Sequence, residues 1–228
     1  MRYLVAAVKP WNLDAFARRT PGLPGEWHLA SDPGALTAER VRALAPRYVF
    51  FPHWSWRVPD EVLAAAECVC FHMTDVPYGR GGSPLQNLIA RGHRETRLSA
   101  LRMVAELDAG PVYMKRPLSL DGRAQEIFER AAELCFDMMA EIAATEPEPE
   151  PQRGTPVVFP RRRPDQSALP AEGDLGALHD HIRMLDADTY PAAFLDHGAF
   201  RIEFRHAEAA DGRIEARVTI RPRREEER

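Results

Sequence analysis

HMTDVPYGRGGS, residues 72–83, follows the apolar run Cys68 to Phe71 and leads into PLQNLIA. A short apolar run of this kind reads as a buried strand, which places the histidine at its carboxyl end. Gly79, Gly81 and Gly82 make the next stretch a glycine-rich turn that permits close backbone approach. Ser83 as N-cap and Pro84 at the first helical position then open a helix. α/β folds build their sites where a strand end, a loop and a helix start meet.

Upstream, Arg2 to Val8, Trp27 to Ser31 and Tyr48 to Trp54 read as strands, and Thr37 to Ala45 and Pro59 to Ala66 as helices. Downstream come a helix from Pro84 to Ala90 and strands from Arg97 to Val104 and Val112 to Pro117. A long amphipathic helix spans Arg123 to Ala144, with Asp121 as its candidate cap. This alternation predicts an α/β fold: an open, mostly parallel twisted sheet with flanking helices. TEPEPEPQRGTP predicts an extended, exposed linker. The expected division is a catalytic domain over 1–145, a Pro/Glu-rich linker over 146–156, and a small C-terminal α+β appendage over 157–228. The appendage carries a helix around Asp174 to Leu185 and strands Phe200 to His206 and Ile214 to Ile220. Asp211-Gly212 marks the turn between those strands, and the tail RPRREEER reads as charged and frayed.

The chain has 228 residues and a net charge of −4, so nothing marks a nucleic-acid partner. Its 28 arginines against 2 lysines read as compositional bias rather than as a phosphate-binding surface. Three cysteines form no even framework and none has zinc spacing to a histidine, which points to a reducing, cytoplasmic setting without a metal. No signal peptide and no membrane span are expected, since no stretch approaches about 20 apolar residues.

His72 is the first candidate site residue, an imidazole placed to accept a proton near neutral pH. Asp108 lies in ELDAGP, 36 residues later. By itself it reads as a turn residue; its functional reading is a carboxylate that orients His72. The loop from Gly79 to Gly82 is neither a Walker loop nor a dinucleotide fingerprint. His53, Trp54 and Trp56 are candidates for lining a flat-ring pocket, although aromatic packing is their commoner use.

His72, Pro77, Arg80 and Gly81 keep the spacing of the formyltransferases that use N10-formyltetrahydrofolate, and the chain resembles that family from about residue 40 to 145. Thr96 to Val112 resembles the family's aspartate loop, with Asp108 on its catalytic position. Thr155 to Phe204 resembles the C-terminal region of the sugar N-formyltransferases. The resemblance implies a Rossmann-like formyltransferase fold with His72 and Asp108 catalytic. It implies folate binding by Trp54, Trp56, Arg57, Val58, Glu106 and Leu107, and acceptor binding by Asp75, Tyr78, Arg80 and Gly81. The implied reaction moves a formyl group to a primary amine, first of all that of a nucleotide-linked amino sugar, without a metal, and leaves a homodimer open. Before Tyr48 the chain is short for this family, so a reduced or rearranged sheet is expected.

One residue departs from the pattern. The family's asparagine, which donates to the developing oxyanion, is Cys70 here. Losing such a donor costs about 3–4 kcal/mol of barrier, and a thiol donates weakly. Protonated His72, a backbone N–H, Asn87 and His53 are the candidate substitutes. Two other readings stay open: a formyltetrahydrofolate hydrolase, and a weakly active or non-catalytic folate- or sugar-binding relative.

Overall fold

The structure, a computed structural model, describes residues 1–224; the last four residues of the tail lie outside the described residues. In chain order the elements are β1 (Arg2–Ala6), α1 (Pro10–Arg19), β2 (Glu26–Ala30), α2 (Ala38–Leu44), β3 (Tyr48–Pro52) and α3 (Asp60–Leu63). There follow β4 (Glu67–His72), β5 (Tyr78–Gly81), α4 (Pro84–Ile89), β6 (Glu95–Arg102), β7 (Val112–Ser119) and α5 (Ala124–Thr145). The last are β8 (Val157–Phe159), α6 (Leu175–Arg183), β9 (Ala193–His197), β10 (Phe200–Ala210) and β11 (Arg213–Pro222).

Six strands form one mixed sheet in the order β2-β1-β3-β4-β6-β7. The pairs β1–β2, β1–β3 and β3–β4 are parallel, and β4–β6 is antiparallel. β1 and β3 are almost entirely buried, the near-continuous apolar run that a sheet covered on both faces requires. One face packs Leu4, Val49, Phe51 and Cys68 against Val41 of α2 and Val62 of α3. The other carries aromatic rings, with Phe50 6.3 Å from Tyr3, 5.8 Å from Trp27 and 6.2 Å from Phe71 between centroids. Here α1 and α5 meet through Phe16 and Phe136. Each fully buried side chain of this kind contributes roughly 1.5–3 kcal/mol.

Most elements fall where the sequence places them. Thr37 caps α2 by accepting from Arg40 N at 3.2 Å, and Asp174 caps α6 by accepting from Ala177 N at 2.7 Å. Asp211 and Gly212 both have positive φ, 52° and 74°, as a tight hairpin turn needs. Helix α1 is an element the sequence reading passes over, and Pro10 is its first residue. Asp121 does not cap α5; Glu126 reaches back to Arg123 N at 2.8 Å, and Asp121 takes the Ser119 hydroxyl. Ser83 has φ 48°, left-handed rather than the extended geometry of an N-cap.

The glycine-rich stretch after His72 is also more ordered than a turn. Tyr78–Gly81 is β5, paired in parallel with β8. Residues 146–156 contain no helix, and they are tied down: Glu150 and Val112 exchange N–H···O bonds of 2.7 and 2.9 Å. A chain rich in proline lacks donors for regular structure, so isolated bonds like these hold it.

Two compact units interleave along the chain rather than following one another. The first comprises 1–84, 96–118 and 128–159; the second comprises 85–95, 119–127 and residues from 160 onward. The second holds the antiparallel sheet β11-β10-β9 and α6. Its buried Arg183 donates to Leu120 O at 2.6 Å, Gly122 O at 2.8 Å and Asp180 at 2.6 Å.

Gly81 has φ 102°, and a Cβ there would stand 2.6 Å from the Phe159 carbonyl oxygen. Gly81→Ala is therefore expected to break the β5–β8 pairing at a cost of about 2–3 kcal/mol. Urea unfolding measures it, and a midpoint equal to wild type refutes the expectation.

Candidate active site

β4 alternates its side chains, so Cys68, Cys70 and His72 share one face of the sheet. The chain leaves β6 beside this strand, with Met103 N bonded to Cys68 O at 2.8 Å. The following loop doubles back along β4 and brings Asp108 to His72. Asp108 Oδ2 lies 3.6 Å from His72 Nδ1 and accepts from Gly81 N at 2.9 Å. Both side chains are nearly buried, 9% and 10% exposed, so little water screens the pair. At 3.6 Å the two groups are neighbours without a hydrogen bond, and the contact becomes an ion pair only when the imidazole carries a second proton.

The other ring nitrogen is fixed by the backbone. Nε2 of His72 lies 2.7 Å from the Gly79 carbonyl, which only accepts, so Nε2 carries the proton. Thr74 donates to the same carbonyl at 3.3 Å, and Ser99 donates to Thr74 O at 2.7 Å. The imidazole is thereby held between the β5 strand and the Asp108 loop, with Nδ1 facing the carboxylate.

Cys70 is half-buried on the same face. Burial first, and then the Asp108 charge, push its thiol well above the usual range, so it remains neutral. It is no thiolate nucleophile. The other thiols, Cys68 at about 12 and Cys135 higher still, are raised by burial as well.

The segment expected to face folate leaves β3 next to β4, where Pro52 pairs with Phe71. Trp54 packs edge-on against Phe51 at 5.7 Å and against Trp56 at 5.2 Å. Val58 is core, Trp56 is 48% exposed, and Arg57 meets Asp60 at 3.4 Å. The buried Trp54 Nε1 has no hydrogen-bond partner among the described residues, a donor that a polar heterocycle with ring acceptors would satisfy. In the other wall Leu107 is 69% exposed, and Glu106 meets Arg80 at 3.3 Å. An exposed apolar side chain, an open indole and a spare N–H suit a flat heteroaromatic ring.

The remaining expected residues divide. Arg80 joins the site through Gln152, whose Oε1 accepts from its Nε at 3.1 Å and Nη2 at 2.9 Å. Tyr78 packs edge-on against Phe159 at 5.2 Å, and Gly81 supplies its N–H to Asp108. Asp75 is already paired with Lys115, and Arg97 stands 3.8 Å away, so a substrate ammonium would compete with two cations. Of the proposed oxyanion donors, Asn87 donates one of its two N–H bonds to Pro160 O at 3.0 Å. His53 is wedged between Trp11 (5.3 Å) and Phe128 (4.6 Å). Sequence reading misses Thr74, Ser99, Lys115 and Gln152, because nothing in their local composition marks the distant partners they find. Among the described residues, no group of three or more His, Cys, Asp or Glu is arranged to hold a metal ion.

Comparison with known proteins agrees with this fold. A family model described as the C-terminal domain of methionyl-tRNA formyltransferase matches residues 164–221. A solved structure, described as methionyl-tRNA formyltransferase from Clostridium thermocellum, is 41% identical with a TM-score of 0.95, covering 97% of this chain and 99% of that one. The methionyl-tRNA formyltransferase of Halorhodospira halophila is 30% identical over 194 residues, 81% of this chain and 62% of its own length. The chain spans about half the length of the curated relatives it matches, 47% for the Sinorhizobium medicae protein. A sugar N-formyltransferase from a Shewanella species shares the fold, with a TM-score of 0.68 at 14% identity over 92% of this chain and 99% of that one. A mixed, mostly parallel α/β sheet with a small C-terminal antiparallel sheet is the fold these proteins share with this chain. The chain belongs to the formyltransferase family.

Burial, then the Lys9 ammonium, push the His53 imidazole down to about 3. Below its ordinary value near 6.5 the unfolded chain takes up this proton while the native chain does not. Stability is therefore whole above about pH 6.5 and falls toward pH 3, by at most about 1.4 kcal/mol per pH unit. His53→Phe keeps an aromatic ring and should flatten that slope in urea midpoints measured from pH 7 to 4. An unchanged slope refutes the assignment.

Proposed function

We propose that this chain transfers a formyl group from N10-formyltetrahydrofolate to a primary amine, with His72 and Asp108 as the catalytic pair. The observation that carries the reading is their convergence, across 36 residues of sequence, beside the segment 54–58 that fits a flat heteroaromatic ring. When bound, the folate supplies an activated formyl carbonyl and a nitrogen leaving group. His72, with Nε2 committed to Gly79 O, offers Nδ1 to the proton that the attacking amine must lose. Asp108 steadies the charge which that proton brings to the ring, and the proton passes on to the departing folate nitrogen as its bond to the formyl carbon breaks. The 3.6 Å gap is of the kind that closes in a ligand complex. Holding amine and donor together beside this pair supplies much of the acceleration.

For the acceptor we favour a small amine, the amino group of a nucleotide-linked sugar. The C-terminal unit supports this by its charge: it carries 15 arginines against 17 carboxylates, where a tRNA partner calls for phosphate neutralisation. Methionyl-tRNA is the second reading, favoured by what the relatives at 30–41% identity are called. Three free thiols fit a reducing cytoplasm, and among the described residues no helix is long and apolar enough to cross a membrane.

Incubating the protein with labelled formyl donor and a panel of amino-sugar nucleotides, other amines and methionyl-tRNA is the test. His72→Ala and Asp108→Ala are each expected to lower kcat by about 10²–10⁴-fold. Cys70→Asn restores an amide donor and should raise kcat, by up to about 10²-fold. Formate released without any amine would make the protein a hydrolase. Folate binding without turnover, in wild type and in Cys70→Asn alike, would make it a binding relative and end the transferase reading.

A further inference from the structure

The segment 146–156 forms no helix, yet one of its side chains spends its whole hydrogen-bonding capacity on the Asp108 loop and on Arg80 of β5. Gln152 Nε2 donates to Asp108 O and to Gly110 O, each at 2.8 Å. Its Oε1 accepts twice from the Arg80 guanidinium. A carboxamide has two N–H bonds and two acceptor directions, so all four are used. Its orientation is unambiguous as well. Only the amino group can face two carbonyls, and only the oxygen can face a guanidinium.

The loop it grips needs outside support. Asp108 has φ 53°, a left-handed conformation that costs free energy in a residue with a side chain. Gly110 passes so close to Arg102 that a Cβ would collide with the Arg102 carbonyl oxygen. Within the loop, the bond from Ala109 N to Glu106 O is a long 3.4 Å, and residues 104–107 are exposed. On the Gln152 side the backbone is anchored, by the Glu150–Val112 pair and by Val157 N bonded to Pro77 O at 3.0 Å. A fixed strap thus holds the carbonyls at and just beyond Asp108.

We propose that Gln152 is a positioning residue for Asp108: its amide clamps the Asp108 and Gly110 carbonyls and so aims the carboxylate at His72. The inference rests on the proposed function only in taking Asp108 to act in turnover. A misplacement of about 1 Å in a catalytic group costs on the order of 10²-fold in rate. Gln152→Met keeps the length of the side chain and removes the four bonds. It should lower kcat by about 10–100-fold, with KM for the formyl donor within about threefold of wild type. In an Asp108→Ala background the same change should cost nothing more, because the group it aims is gone. Amide hydrogen exchange over 104–111 should rise at least about tenfold in Gln152→Met, with the sheet strands unchanged. Gln152→Glu is the second variant: it keeps an acceptor toward Arg80, now charged, and makes the contact with the two carbonyls repulsive, so it should lower kcat at least as far as Gln152→Met.

A folded variant with wild-type kcat, a further loss in the Asp108→Ala background, or unchanged exchange over 104–111 would each overturn the proposal. So would failure of both variants to fold, which would make Gln152 a stability residue. If wild type transfers formyl to no acceptor, the function reading fails instead, and the exchange measurement alone decides the role of Gln152.

Discussion

One carboxylate oxygen organises the site. Asp108 Oδ2 accepts from Gly81 N at 2.9 Å and stands 3.6 Å from His72 Nδ1. That oxygen joins the end of β4, the β5 strand and the loop between β6 and β7. Nearly buried, it interacts with both partners through a medium of low polarity, where charge contacts carry further than in water. Burial first, and then the nearness of this charge, keep the Cys70 thiol neutral, so the strand end presents an imidazole and no competing nucleophile.

Around that point the supports form successive layers. The sheet supplies a rigid strand end, because β1, β3 and β4 are packed on both faces. β5 aims the histidine through the Gly79 carbonyl, and β8 holds β5 in place. The proline-rich strap then holds the aspartate loop from outside through Gln152. A partly exposed loop held by side-chain bonds can open at far lower cost than the buried strands behind it. A rigid histidine facing a more yielding aspartate loop suits a reaction in which two substrates must enter and leave.

Much of the fold was legible because apolar runs and caps are local signals. The strands at 2–6, 26–30, 48–52 and 67–72, the long helix α5 and the Asp-Gly hairpin each follow from a few adjacent residues. The errors share one physical origin. Pro10 reads as a break until its place at the start of α1 is seen, and Asp121 lost the cap of α5 to a glutamate one turn inside the helix. The glycines after His72 read as a turn because nothing near them names β8, about 80 residues away. Gln152 sits in a stretch whose composition says only that it is extended.

Residue types and their spacing along the chain were enough to fix a covered α/β sheet, a histidine at a strand end and an aspartate in a turn. Only the folded chain decided that this turn residue faces the histidine, that Asp75 is taken by Lys115, and that a proline-rich segment grips the aspartate loop. The physical reason is range. Helix and strand formation depend on neighbours within a few positions, whereas a site is made by contacts whose partners are brought together only when the core closes.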